Sequence, residues 1–567
     1  MTFPLFGFLE RPYRHAQRYR QILKVLFKYG FADLVESLGL ETFLEISLKK
    51  LAGDRKERID SLTRAQRVRL TLEELGPTFI KFGQILSTRS DLLPAEFVLE
   101  LEKLQDEVPP FSFEEVRKII EEELENPLDR IFPEFDERPI ASASLGQVHR
   151  ARLPSGETMA VKVQRPGIPE TIETDMEILL HLATLLENHV SDMKLYRPTR
   201  IVREMTYTVE QELDYTIEAS HIRRFARQMA NEPGLYVPRV YEHLTTPRVL
   251  TMEYVFGIRA GDEEALSKNG LDRKILADTL SRLIMKQVFE HGFFHADLHP
   301  GNIFFLPQNV ICFLDFGMMG RLDRRSREDF ADLVIAIANR DEAAACRALL
   351  RLTYLDPEDE DPDLRVLQRD VADFMDLHFY RPLKELDLGK LLQNMLHMVS
   401  RHRLRFPPNL FMMLRSMTTV EGLSKTLDPD FDLVERAEPF VRRVRLHKYS
   451  PGRLSEEAGA LGLDFLELFR ELPGDLRDLL TEAKRGNLRL DFKHRGLNPL
   501  VDTYDRASKR VAFSVVLAAL IVGSALIVLS GVPPKLFGLP LIGIAGFLFA
   551  GVLGMWLMIS ILRRGGM

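Results

Sequence analysis

From Val511 to Ser530 the chain runs 20 residues, VAFSVVLAALIVGSALIVLS, without a charge. A helix of that length is about 30 Å long, the thickness of a bilayer's hydrocarbon core. Core helices of soluble proteins rarely run so far without a charge, so this stretch is expected to cross a membrane. After GVPPKLFGL a second uncharged stretch, Pro540 to Leu562, is of similar length, and together they read as a transmembrane hairpin. Arg506, Lys509 and Arg510 precede the first span and Arg563 and Arg564 follow the second, while the connection holds only Lys535. Clustered Lys and Arg mark the cytoplasmic side, which puts both ends there. Small residues recur at four-residue spacing, as Ala519 with Gly523 and as Gly546, Ala550 and Gly554. They let helix backbones approach closely, either within one chain or across a homodimer.

The remainder of the 567 residues has room for two or three domains with their own cores. A net charge of −7 gives the chain no overall positive field, which argues against nucleic acid as a partner. Two cysteines, Cys312 and Cys346, are too few for a disulfide framework and fit a reducing compartment. The opening MTFPLFGFLERPYR places an apolar run before the basic residues, the reverse of a secretory signal, so the soluble part is expected in the cytosol. Residues 11 to 30 carry six basic side chains and no acid, among Ile22, Leu23, Leu26 and Phe27. This amphipathic helix either lies on anionic lipid or packs on the soluble domain with its charges in water.

Leu62 to about Asn126 reads as helical, broken at Gly76, Pro77, Pro94, Pro109 and Pro110. Strand-like runs follow from Pro139 to Gly257, and the pattern from Arg273 to about Val441 is almost wholly helical. A strand-bearing lobe followed by a helical lobe implies a cleft between them. In ASASLGQVHRARLPSGETMAVKVQRPG, residues 141–167, a turn at Pro154, Ser155 and Gly156 separates two strands. Alternation along the second puts Lys162 on the face opposite Val161 and Val163, where a lysine suits the phosphates of a nucleotide.

The stretch HADLHPGNIFFLPQNVICFLDFG, residues 295–317, sharpens that reading. Asp297 and Asn302 stand five apart, as in the kinase pattern HRDLxxxN, and Asp315 of DFG follows 18 positions after Asp297. Asp297 can accept a proton or orient a nucleophile, while Asn302 and Asp315 offer the hard oxygen ligands that Mg²⁺ prefers. His291, His295 and His299 recur every four residues, but Gly292 and Pro300 interrupt any helix joining them. The zinc reading is therefore the weaker one, and His295 is expected to brace the loop. In RVLTMEYVFG, residues 248–257, the backbone of Glu253 and Val255 can hold adenine, and Cys312 reads as strand core.

These stretches resemble the UbiB (AarF-like) atypical kinase family over roughly Leu62 to Val441. KFGQ at 81–84 matches its KxGQ signature, ASAS at 141–144 its Ala-rich loop, ELD at 212–214 its ExD signature, and HADLHPGN with DFG its catalytic pair. The resemblance implies an α+β, two-lobed protein-kinase-like fold with an N-terminal helical extension and a C-terminal two-helix transmembrane hairpin. It divides the chain into a basic region (1–60), the KxGQ extension (61–130), the strand-bearing lobe (131–257), the helical lobe (258–450), a linker (451–505) and the hairpin (506–567). It further implies that Lys81 and Gln84 point at the nucleotide from a helix over the cleft. Lys162 then pairs with Glu218, or alternatively with Glu177, and the loop of Ala141, Ser142, Ala143, Ser144, Gly146 and Val148 lies over the phosphates. Glu212 and Asp214 approach the Lys81 helix as further candidate metal ligands.

Three departures from ordinary protein kinases qualify this. Two loop glycines are replaced by Ala141 and Ala143, so the grip on nucleotide should differ. The arginine of HRD is Ala296, which removes the partner of a phosphorylated activation loop. After Gly317 the chain enters a helix without an APE-like element, leaving little platform for a peptide. The expectation is an ATP- and Mg²⁺-dependent kinase or ATPase on a bacterial inner membrane, its soluble domain facing the cytoplasm. It would act on prenylquinone or lipid precursors, alongside other quinone-biosynthesis enzymes. Phosphorylation of a small molecule or protein, and a nucleotide-regulated scaffold, are the alternatives.

Overall fold

The computed structural model describes residues 12–32, 62–87, 108–190, 197–355, 362–379, Leu472 and Arg477, and, with short breaks, 93–104, 388–451 and 498–564. The chain divides into two compact units, Met1–Glu456 and Glu457–Met567. Most of the expected linker lies outside the described residues.

In the first unit, a five-stranded antiparallel sheet is built on the hairpin Gly146–Arg152 and Thr158–Gln164. Val249–Glu253 flanks it on one side, and Glu134–Phe135 with the short Ala141–Ser142 extends it on the other. The connection at Gly156 has φ +92°, the left-handed region that glycine enters without a Cβ clash. Val161 and Val163 are fully buried against Val116, Ile119 and Ile120 of helix Phe113–Leu124, which leaves the alternate residue Lys162 for the opposite face. Ser112 and Glu115 form a reciprocal capping box at that helix's start.

The second lobe packs helices Arg273–Met285, Arg324–Ala338, Glu342–Leu352 and Pro408–Leu427 around one large apolar core. Two small sheets stand at its cleft edge. One pairs Val310–Phe313 with Ile303–Leu306; the other pairs Phe293–His295 with Met319–Arg321. Cys312 is fully buried strand core, and burial pushes its thiol up to about 12.

The basic N-terminal helix Pro12–Lys28 packs on protein. Ile22 and Leu23 are buried against Leu72, Leu75 and Phe79, and Arg18 forks onto Asp175 at 2.6 and 2.9 Å. Arg18 also donates to the Leu75 carbonyl at 2.8 Å, and Lys28 pairs with Glu74. Of the two sequence readings, this geometry is the docked one.

In the second unit, helices Asn498–Ser530 and Leu541–Arg564 pack against each other. The first begins at Asn498, before the expected hairpin boundary at 506, because polar residues 498–510 continue the helical pattern. Among the described residues, only Val511–Ser530 is long and apolar enough to cross a membrane; the second helix has a shorter apolar stretch, Leu541–Met555. A Cβ on Gly546 would fall 2.2 Å from Ser524 Oγ, and one on Gly543 2.5 Å from Val528 Cγ2. These glycines therefore serve close packing within the chain, whereas a Cβ on Gly523 would meet nothing within 4 Å.

Candidate active site

Lys162 leaves the sheet toward helix Tyr215–Gln228 and places Nζ 2.9 Å from Glu218 Oε2. The other Glu218 oxygen accepts the Phe316 N–H at 3.2 Å, so one carboxylate joins the lysine strand to the DFG turn. Glu177 is not the partner. Burial alone would lower the Lys162 ammonium's pKa, but Asp315 and Glu218 outweigh it and hold it well above its ordinary value. Lys162 in turn holds the Asp315 carboxyl down to about 2, against burial and with help from Lys81.

Asp315 adopts φ +57°. A non-glycine residue in the left-handed region is uncommon, and such strain concentrates at functional sites. The Gly317 N–H caps its Oδ1 at 3.1 Å. Behind it, Asn302 accepts the Leu314 N–H at 2.9 Å and donates its own N–H to His299 at 2.9 Å, linking the catalytic loop to the strand that leads to Asp315.

His295 is fully buried and donates Nε2–H to the Leu314 carbonyl at 3.3 Å. Its N–H and carbonyl bond Gln287 at 3.0 Å and Ser416 at 2.9 Å. The histidine thus braces the loop. His299 Nδ1 accepts the Gly301 N–H at 3.0 Å, and no cluster of three or more metal-ligating side chains occurs among the described residues.

Lys81, Gln84, Lys162, Glu212, Glu218, Asp297, Asn302 and Asp315 all line one cavity of about 510 Å³, together with Ala143, Ser144 and Gly146. Lys81 lies 2.6 Å from Glu212, so the KFGQ helix, Pro77–Ser87, is tied to the end of helix Pro198–Leu213. A Cβ on Gly83 would sit 2.3 Å from Leu104 Cδ1 and 2.8 Å from Leu72 Cδ1, so the glycine allows this helix to pack closely. Gln84 donates weakly to the Leu104 carbonyl at 3.4 Å.

Several sequence expectations need correction. Asp214 is outside the cavity wall: it caps helix Tyr215–Gln228, accepting from Thr216 N–H at 2.9 Å and Thr216 Oγ at 2.6 Å. Ala141, Ser142 and Val148 also lie outside the wall, because they pair within the sheet and only the turn Ala143–Gly146 projects over the cavity. Glu253 and Val255 do not line it either, and the Glu253 backbone N–H already donates to the Arg239 carbonyl at 2.8 Å.

Among the wall residues that escaped the sequence reading are Tyr215 and Arg415. The Tyr215 ring lies 5.0 Å from Lys162 Nζ and its hydroxyl meets the backbone at Gly146; its place one helical turn before Glu218 was a usable signal. Arg415 comes from helix Pro408–Leu427, and nothing local in sequence announces it.

The residues present fit a divalent cation. Asp315 is ionised and Asn302 offers an amide oxygen in the same wall, a small hard-ligand set of the kind Mg²⁺ completes with phosphates and water.

A sheet lobe and a helical lobe meeting at a lysine–glutamate pair, a catalytic-loop aspartate and a DFG aspartate define a kinase-like protein of atypical form. Family models match at three places: the ABC1 atypical kinase-like domain at residues 103–349, the UbiB helical domain at 371–432 and the ABC1/UbiB kinase-like C-terminal domain at 495–563. The chain is 32% identical to the "protein in hydrogenase 1 5'region" of Clostridium pasteurianum, over 97% of this chain and 99% of that one. It is 36% identical to the probable protein kinase UbiB of Marinobacter nauticus, over 75% and 78% of the two chains. To the protein of the same name from Xylella fastidiosa it is 32% identical, over 95% and 96%. The chain belongs to the ABC1/UbiB atypical kinase family.

Proposed function

We propose that this chain is a membrane-anchored, Mg²⁺-dependent ATPase or kinase supporting ubiquinone or related prenylquinone biosynthesis, at the cytoplasmic face of a bacterial inner membrane. The observation that carries the catalytic reading is the convergence of Lys162, Glu218, Asp297, Asn302 and Asp315 on one cavity. Mg²⁺ held by Asp315 and Asn302 would neutralise phosphate charge. Lys162, fixed by Glu218, attracts the phosphates; Asp297 takes the proton of the attacking water or hydroxyl. The Lys81 helix narrows the access a peptide would need. Only residues 318–323 separate DFG from helix Arg324–Ala338, which favours water or a small acceptor over protein. The relatives' name, protein kinase, is the observation favouring the second reading, transfer to a protein. The apolar helix Val511–Ser530 supports the anchor, and an anchor suits substrates with isoprenoid tails that stay in the bilayer.

The test is phosphate release from ATP with and without a prenylquinone-like lipid, combined with a search for any phosphorylated acceptor. Mg²⁺-dependent release that rises with lipid is expected, and Asp315→Asn should abolish it. Asp297→Asn should lower turnover about 10²-fold or more while sparing nucleotide binding. Near-normal rates in both variants would place the chemistry elsewhere. A chain truncated after Gly496 should bind ATP yet fail to restore quinone synthesis in cells lacking the full-length chain.

A further inference from the structure

Outside the cavity, two basic side chains contact one phenylalanine and a third basic residue stands opposite it in a strand pair. Phe293, almost fully buried, stands directly opposite Arg321 in the antiparallel pair Phe293–His295 and Met319–Arg321. Opposite residues of such a pair project to the same face, with Cβ atoms about 5 Å apart. Arg224, from helix Tyr215–Gln228, lays its guanidinium over the same ring, 4.1 Å from the centroid. The His221 ring meets that phenylalanine edge-on at 5.8 Å.

One guanidinium thus lies on an apolar ring and a second arginine stands across the strand pair from it, near enough to act on the first electrostatically, in a chain whose net charge is −7. Neither Arg224 nor Arg321 has an ion pair among the described residues, while the neighbouring Arg223 is held by Glu242 at 2.6 Å. Burial and the charge of Arg321 both depress the Arg224 pKa, and Arg224 and Arg321 together depress that of His221 after burial. No carboxylate is among the causes of either shift. Like charges brought together at a partly desolvated spot are mutually unfavourable, and an oxyanion between them relieves the repulsion through charge-assisted hydrogen bonds.

We propose that Arg224 and Arg321 form a binding site for a phosphate-class oxyanion, separate from the nucleotide cavity, supplied by free phosphate or by a lipid headgroup. The site goes beyond the catalytic reading, on which only the use of ADP and Mg²⁺ to fill the cavity rests. Its placement gives it a consequence for the cavity. Arg224 shares its helix with Glu218, and Arg321 lies on the strand that follows Asp315 and Gly317. His221, between them, donates Nδ1–H to the Phe316 carbonyl at 2.9 Å. An anion bridging the two arginines pins the Glu218 helix to the DFG strand.

The experiment uses the full chain in detergent, with saturating ADP and Mg²⁺ so that the cavity does not compete. Radiolabelled inorganic phosphate is measured by equilibrium dialysis at constant ionic strength. One equivalent is expected to bind, at least tenfold more weakly in Arg224→Gln and in Arg321→Gln. Arg223→Gln, one position away and already paired, should match wild type. Arg224→Lys keeps the charge but loses the planar fork, and should fall between wild type and Arg224→Gln. An unchanged thermal unfolding midpoint in each variant, measured without phosphate, shows that the fold persists. Short-chain phosphatidic acid that displaces phosphate at lower concentration identifies a headgroup as the ligand; failure to displace it identifies free phosphate. Absence of saturable phosphate binding, or equal binding by wild type and the double variant Arg224→Gln/Arg321→Gln, overturns the site.

Discussion

Lys81 and Glu212 form an ion pair of 2.6 Å with only 13% and 9% of their side chains exposed, at the rim of the cavity. A lysine on a helix surface is ordinarily solvated and replaceable at little cost. Removing one partner of a largely buried pair instead leaves an uncompensated charge. Lys81→Ala should therefore destabilise the protein by about 2–3 kcal/mol in urea unfolding. Adding Glu212→Gln should recover most of that stability without restoring the wild-type rate of ATP turnover. A Lys81→Ala protein as stable and as active as wild type would make Lys81 an ordinary solvated helix lysine.

Gly146 lies where no side chain fits. A Cβ there would stand 2.4 Å from Tyr215 Oη and 2.5 Å from the Val163 carbonyl oxygen, and the carbonyl belongs to the central strand pair. Gly146→Ala should cost about 1–3 kcal/mol through overpacking. Combining it with Tyr215→Phe should relieve only part of the loss, because the backbone clash remains. Full recovery in the double variant, measured by thermal unfolding, would show that the hydroxyl alone set the limit.

The metal-free protein should lose stability in acid through Asp315. Its carboxyl is held at about 2, below the ordinary value near 4, chiefly by Lys162. Because the folded value is the lower one, the stabilisation is present above about pH 4 and disappears as pH falls toward 2. The shift corresponds to about 2 kcal/mol. Urea midpoints between pH 7 and pH 3, taken in chelator, should fall less steeply for Asp315→Asn than for wild type. Parallel profiles would assign the acid sensitivity to other carboxylates.

Asp175 is completely buried, and Arg18 reaches it from the N-terminal helix with two hydrogen bonds. Arg18→Met should destabilise the fold by about 3 kcal/mol, since the aspartate keeps its burial and loses its counterion. Binding to anionic vesicles should change little, as expected of a helix that spends its apolar face and Arg18 on protein. If vesicle binding fell and stability held, the helix would be a lipid anchor.

How much of this was legible beforehand depends on distance along the chain. Asp297, Asn302 and Asp315 could be read because they sit on one short stretch, where a loop and two strands fix their spacing. Alternation along a single strand was enough to turn Lys162 away from Val161 and Val163, and the absence of charge from Val511 to Ser530 was enough to mark an apolar helix. Each is a one-dimensional regularity, set by backbone geometry and solvent preference within a few residues. The choice of Glu218 over Glu177 for Lys162, the pairing of Lys81 with Glu212, the docking of Arg18 on Asp175 and the approach of Arg224 to Phe293 and Arg321 have no such local trace. They depend on which helices share a core and at what angle they cross, so only packing brings those charges within reach of one another. Asp214 makes the same point from the other side: its place in the ELD motif suggested a ligand, and the start of the next helix claimed its carboxylate for a cap.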